Sequence, residues 1–436
     1  MALVHRIEAR AHDQLGRLIG QSDEMWDQST PPDPDSDTIR YLEIGAVGLQ
    51  SDMYTLDRVP ITDAPSRARM LLRAGDVLVS TTRPHRGAIV RIRDEDDGAI
   101  ASTGFAVLRK PDTDRVTRDF LLAALLSDCV LTQMLQRSSG GAYPAITPDE
   151  LDRVRIPTPN PDVQTRLVAA LDAARAARRR KLEEAESLLG GLDAFVLEAL
   201  GLTLPASDGH RTTYAVRLSD VREGKKLYPD YFHPERLNAI RAVARKYKGD
   251  RCATLLWAAD FRRDQRQIQP GDPYLGLANV QPNTGVRVDS TEEDGEGTVF
   301  EYAENDVLFA RLRPYLNKVY RAESSGVCSP EFHVMRVRND DDGKSLVIPD
   351  YLAAVMRSGI VLSQTRHMMT GNTHPRLAND DVVNLVIPVP DPDIQKRIAA
   401  EVSRRRDAAR HLRDDAARLW DDAKRRFKEA LLGGTK

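Results

Sequence analysis

The sequence predicts an α+β protein: a tandem repeat of two mixed α/β domains, each followed by a long helix, with the two helices pairing as an antiparallel coiled coil. Three observations carry this. The chain repeats itself once in order, each copy closes in a proline-free charged stretch, and 436 residues exceed one ordinary core.

The repeat runs at an offset of about 230 residues. Tyr41 to Val47 (YLEIGAV) recurs as Tyr274 to Val280 (YLGLANV). Gly75 to Pro84 (GDVLVSTTRP) recurs as Asn305 to Pro314 (NDVLFARLRP). Ser102 to Val107 matches Ser329 to Val334, and Asp119 to Ala124 matches Asp350 to Val355. Finally Ile156 to Gln164 (IPTPNPDVQ) matches Ile387 to Gln395 (IPVPDPDIQ). The apolar runs at Val77 to Ser80 and Val307 to Ala310 are short and flanked by turn residues, as strands are. The segments after Asp119 and Asp350 have helical spacing, and strands are expected to outnumber helices in each copy.

The prolines at 157–161 and 388–392 cannot sit inside a helix, and Pro161 and Pro392 lie where one can start. Beyond them, about 162–200 and 393–432 lack proline and are rich in Ala, Arg, Leu and Glu. In the second stretch Ile398, Val402, Ala409, Leu412, Ala416, Leu419 and Ala423 follow a coiled-coil seam, interrupted by Arg405. In the first, Leu167, Leu171, Ala174, Leu182, Ala185, Leu189 and Leu192 do so, interrupted by Arg178, with Gly190-Gly191 ending or kinking the helix. Neither stripe can be buried alone, so the two are expected to pack on each other. About 37 helical residues reach roughly 55 Å, more than one turn of DNA. The expected boundaries are a first domain at 1–158, a central helix at 159–203, a polar linker at 204–225, a second domain at 226–390 and a C-terminal helix at 391–436.

Composition narrows the function. With 41% hydrophobic and 29% charged residues the chain can build cores while keeping a charged surface, and its formal charge of -2 confines any nucleic-acid footprint to local patches. Cys129, Cys252 and Cys328 show no metal or disulfide spacing, and the chain lacks both a signal core and a run of about 18 apolar residues. A cytoplasmic protein is expected. No catalytic constellation emerges: Gly343-Lys344-Ser345 lacks the first glycine of a phosphate loop, and the nine histidines show no zinc-binding spacing. The expectation is a non-catalytic chain with no metal and no cofactor of its own.

Two loops per copy attract attention. The loop after the Asp-Val-Leu strand carries Thr81, Thr82, Arg83, His85 and Arg86 in the first copy, and Arg311, Arg313, Tyr315, Asn317 and Lys318 in the second. The turn before each Ile-Pro carries Ser138, Ser139 and Tyr143 in one, and Asn372, Thr373, His374 and Arg376 in the other, with Gly140, Gly141 and Gly371 allowing close backbone approach. Arg and Asn can read guanine and adenine edges, while Lys and Thr hold phosphates. For any single residue the alternative is a solvated polar loop. The basic run Arg175, Arg178, Arg179, Arg180 and Lys181 suits partner docking better than DNA. Phe195 and Phe427, at matching places near the helix ends, are expected packing anchors.

The twice-repeated order of Asp-Val-Leu, Ser-x-x-Phe and Ile-Pro-x-Pro-x-x-x-x-Gln leading into a long helix resembles the specificity subunits of type I restriction-modification systems. The resemblance covers nearly the whole chain, and Tyr228 to Glu235 (YPDYFHPE) looks like the start of such a domain in the second copy, with no counterpart in the first. It implies that each domain reads one half of a split DNA target and that the paired helices set the spacing. It further implies that two modification subunits carrying S-adenosylmethionine dock on the helices and methylate adenine. Separate restriction subunits would translocate and cut DNA with ATP and magnesium. Alternatives are the targeting subunit of a fused restriction-methyltransferase, a coiled-coil scaffold without DNA, and an unrecognised nuclease or transferase.

Overall fold

Strands that bury both faces read as unbroken apolar runs, and the computed structural model shows this for Val77–Ser80 and Val307–Ala310, buried at every position. The structure describes residues 11–28, 36–205, 213–224, 229–288, 295, 297–370 and 374–433. The chain forms two compact units, one of residues 1–180 with 415–436 and one of 181–414, so each long helix contributes to both.

In unit 1 an antiparallel sheet runs in the order Ile19–Ser22, Phe105–Pro111, Val77–Ser80, Ile89–Arg91. A second sheet runs Asp57–Pro60, Thr38–Leu42, Ile100–Ser102, Ala68–Leu71, with its central pair parallel. Unit 2 repeats the first order, while in its second sheet the parallel pair, Gly326–Cys328 with Tyr274–Leu275, lies at the edge. Its first sheet runs Ala259–Arg262, Phe332–Val337, Val307–Ala310, Val319–Arg321, and its second Gln265–Gln267, Thr298–Tyr302, Gly326–Cys328, Tyr274–Leu275. The period of two divides the cores. Val77 and Val79 pack with Phe120, Leu121 and Leu171, whereas Leu78 packs with Val90 and Val107 toward the second sheet. Val307 and Phe309 stand likewise apart from Leu308.

The repeated motifs prove to be fastenings. Each Ile-Pro pairs antiparallel with the start of its unit, Ile156 opposite Asp13 and Ile387 opposite Ala253. The following glutamine is buried in both copies. Gln164 accepts from the Thr117 amide at 2.8 Å and donates to the carbonyls of Arg115 and Pro159. Gln395 accepts from the Ile348 amide at 3.0 Å and donates to Pro390. Each thereby holds the start of a long helix to the start of a core helix, Arg118–Leu125 or Pro349–Arg357. The Asp before Val-Leu is also buried, Asp76 accepting a two-point bond from Arg109 and Asp306 one from Arg336.

The long helices span Pro161–Gly190 and Pro392–Leu432, each starting at its proline, whose missing N–H costs a first turn nothing. The first breaks at Gly191 and resumes over Leu192–Leu200. In unit 2, Arg405 meets Gly191 and Arg397 meets Ala199, so the paired sections run antiparallel. Arg405 interrupts the apolar seam for a reason: its Nη1 donates to the Gly191 carbonyl at 3.1 Å, its Nε pairs with Glu401, and its guanidinium lies over the Phe195 ring. Leu419, expected in the seam, is exposed instead; Trp420 takes its place in unit 1, with the Arg175 guanidinium 5.5 Å from its ring centre. A strict seven-residue pattern drifts against 3.6 residues per turn, which moves the apolar face by one position here. Phe427 packs against Phe120. Within the stretch expected to be linker, Leu218–Gly224 is helical.

No single helix among the described residues is long and apolar enough to cross a membrane, and the bent pair Arg118–Leu125 and Asp128–Arg137, apolar enough in sum, forms the core of unit 1. The three cysteines are unbridged.

One buried group makes stability depend on pH. His333, packed beside Phe261 and Phe309, is pushed down to about 3 by burial and then by the charges of Arg311 and Arg263. The imidazole is neutral in the fold but takes up a proton in the unfolded chain below about 6.5. Its contribution is therefore complete above that value and is lost as pH falls toward 3, at up to about 1.4 kcal/mol per pH unit. The variant His333→Phe is expected to flatten the stability profile between pH 6 and 4, measured by urea denaturation at each pH.

Candidate nucleic-acid interface

The two basic loops leave the central strands by the same path. In unit 1 Ser80 is buried and donates to the Thr82 carbonyl at 2.8 Å, and Thr81 is fixed to the Gly104 carbonyl through both amide and hydroxyl. Arg83 then turns left-handed at φ 50, Pro84–Arg86 forms one tight turn, and Gly87 is left-handed again at φ 72. In unit 2 Arg313 is left-handed at φ 47, Pro314–Leu316 forms the turn, and Asn317 follows at φ 52.

A left-handed arginine costs roughly 1–2 kcal/mol, and such strain survives only where the surroundings impose it. The surroundings are the same twice. The Arg83 amide donates to the Pro144 carbonyl at 2.6 Å, and the Arg313 amide to Pro375 at 2.8 Å. The loop after the strand and the turn before Ile-Pro, about 60 residues apart in sequence, are thus one surface in each unit.

In unit 1 this surface holds the Arg83 guanidinium 4.0 Å from the centre of the Tyr143 ring, with Nη2 donating to the Ala142 carbonyl at 3.1 Å. Tyr143 is 68% exposed, and Thr82 and Arg86 are exposed beside it. The turn carrying Tyr143 is closed by the reciprocal amide bonds of Ser139 and Ala145, with Gly140 at φ 101. His85 is half-buried, its Nδ1 without a hydrogen-bond partner.

In unit 2 Arg313 and Tyr315 are exposed, as is His374. Arg376 makes a two-point bond to Glu331 at 2.6 and 3.0 Å, which raises the arginine's pKa further, and Arg311 stands 3.9 Å from the same carboxylate. Glu331 went unremarked in the sequence because nothing in its spacing connects it to either arginine. Asn317 does not belong to the exposed surface. It is 4% exposed, and its amide donates to the Arg357 carbonyl at 2.7 Å and to Asn283 at 3.3 Å, so the left-handed turn carries it inward as Gly87 is carried in unit 1. Lys318 donates to the Leu277 carbonyl at 2.7 Å. Asn372 and Thr373 lie outside the described residues.

A second cluster missed by spacing lies in unit 2. His233, Glu235 and His367 place their ligand atoms within 4.8 Å of one another, with the two imidazoles stacked at 3.5 Å. Glu235 is held by Arg366 at 2.7 Å and by His367 at 2.8 Å, which supplies its charge balance from protein groups.

No protein-family model matches the chain. A curated relative, the type I restriction enzyme HindI specificity subunit of Haemophilus influenzae, is 27% identical over 110 residues, covering 25% of this chain and 24% of that protein. The chain thus matches about a quarter of the length of that relative. Among solved structures, a chain from a study of complex assembly and conformational transition of the type I R-M system matches with TM-score 0.56 and 20% identity, covering 97% of this chain and 96% of that one. The HsdS subunit from Thermoanaerobacter tengcongensis matches at TM-score 0.41 and 21% identity over 97% of this chain and 95% of its own, too distant a superposition to bear on the fold. In its fold the chain is similar to a chain of the type I R-M system, and in one stretch of its sequence to a type I restriction enzyme specificity subunit.

Proposed function

We propose that this chain is the sequence-reading subunit of a type I restriction-modification assembly, with each unit reading one half of a split duplex target. The observation that carries the reading is the twice-built loop in which a strained arginine precedes a proline and is pinned to the turn before Ile-Pro. Arg83 with Tyr143, and Arg313 with Tyr315, supply the bidentate donor and the flat ring that suit base edges and backbone. Thr82, Arg86 and His374 flank them, and Arg311 and Arg376, sharing Glu331, are positioned to stiffen the second surface. On this reading recognition resides in the chain and chemistry in its partners. Modification subunits with S-adenosylmethionine methylate adenine, and restriction subunits use ATP and magnesium. Work on DNA by such an assembly belongs in the cytoplasm.

The test is to co-express the chain with a methyltransferase subunit from the same locus and map adenine methylation by single-molecule sequencing. A split motif, two short defined halves around a fixed unspecified spacer, is the expected result. A single continuous motif would overturn the two-unit readout, and no methylation by an assembled complex would favour a scaffold. The same complex is expected to lose affinity for its target linearly in log-log salt, each lost phosphate contact reducing the slope by about 0.9.

A further inference from the structure

Unit 2 contains a cavity of about 310 Å³ between Leu189, Leu192 and Val196 on one side and Ala354, Arg357 and Ser358 on the other. Its volume suits a small molecule. Arg357 lines it while only 7% exposed. Among the described residues its one hydrogen bond is from Nη1 to the Val319 carbonyl, a long contact of 3.3 Å, and no carboxylate pairs with it. Asp350, the acid that attracts it, is spent on Arg321 at 2.9 Å. Arg406 adds a second positive charge nearby; its Nη2 donates to the Gly285 carbonyl at 2.7 Å and its Nε has no partner.

A guanidinium has five N–H donors and keeps its charge, so a buried one with a single weak acceptor needs a counter-charge. Burial and the Arg406 charge both disfavour the cation, pushing its pKa down to about 9. The one acid on the cavity wall, Asp193, is exposed at its mouth and spends Oδ1 on the Gly359 amide at 2.7 Å.

The repeat supplies an internal control. Arg357 stands where the first copy has Leu126, and the equivalent space in unit 1, lined by Leu126, Trp420 and Phe427, is about 30 Å³. The duplicated fold is therefore complete without the space and without a buried unpaired charge, since the cations lining the unit 1 space, Arg175 and Lys424, are half-buried and paired with Asp172 and Asp421. Unit 2 carries both together.

We propose that this cavity binds a small anion, a molecule bearing a phosphate or a carboxylate, with Arg357 as its counter-charge. The proposal is independent of the DNA reading. It is tested on the full chain by thermal unfolding and calorimetric titration with inorganic phosphate and, separately, with citrate, at ionic strength matched by sodium chloride. A saturable rise in Tm of several degrees with one of the two is expected, and which of them acts separates the phosphate source from the carboxylate source. Arg357→Leu, the side chain the first copy already accommodates, is expected to abolish the response. Arg357→Lys, which keeps charge but loses the fork, is expected to weaken it at least about tenfold. The double variant Arg83→Ala/Arg313→Ala is expected to respond like wild type, because neither guanidinium lines the cavity. No response beyond the chloride control, an undiminished response in the Lys and Leu variants, or loss of response in the double variant overturns the proposal.

Discussion

Replacing Arg83 with alanine is expected to relax recognition in one half of the target and leave the other half intact, while Arg313→Ala does the reverse. A bidentate arginine discriminates its base by about 1–3 kcal/mol, so each variant should lose roughly 5- to 150-fold in affinity for the intact site. Affinity for sites already mismatched at that position should hardly change. The restriction of each effect to one half follows from where the arginines stand, each pinned within its own unit by its own turn. Arg83→Lys should behave nearly as badly as alanine, since an ammonium neither forks nor stacks flat on Tyr143, which the native guanidinium approaches at 4.0 Å. The measurement is methylation mapping of each variant complex, with a binding titration against single-base variants of the site. Equal weakening of every sequence would make these arginines phosphate contacts instead.

The second large effect is expected on stability. Asp76 is 1% exposed, takes Arg109 Nε and Nη2 at 2.8 and 2.7 Å, and also accepts the Arg73 amide at 2.8 Å. Asp306 is 1% exposed and repeats this with Arg336 and the Ala303 amide, all at 2.8 Å. Removing one partner of a buried pair strands the other and costs about 3–5 kcal/mol. Asp76→Ala should reach only the lower end of that range, because Arg109, though largely enclosed, keeps Glu24 as a second partner. Asp306→Ala should cost less, because Arg336 is 43% exposed and water can take over part of its solvation. For units of this size the first change should lower Tm by roughly 10 °C. Chemical denaturation should show a lower midpoint at an unchanged slope. A loss under about 1 kcal/mol in both variants would mean that the Asp of Asp-Val-Leu does not fasten its unit.

The duplication, the α+β class and the paired antiparallel helices were legible in the sequence because each follows from local chemistry. Prolines stop helices, a three-four spacing makes a stripe that must be covered, and a four-residue apolar run such as Val77–Ser80 suits a strand buried on both faces. The loops bearing Arg83 and Arg313 were legible as basic clusters for the same reason.

Tertiary structure alone decided which side chains in those clusters face outward. Asn317 and Arg313 are four residues apart in one loop, yet a second left-handed turn buries the first and exposes the other. Glu331 draws Arg311 and Arg376 together across a gap that sequence spacing does not encode, and Trp420 replaces Leu419 in the seam because the helix period drifts. Arg357 and Leu126 sit at equivalent positions of the repeat, and the packing around them buries the arginine beside a cavity and leaves the leucine half-buried at the edge of its core. The sequence by itself determined the elements and their repetition, because those depend on neighbours along the chain. Exposure, charge pairing and enclosed space depend on neighbours across it, and those were decided by the fold.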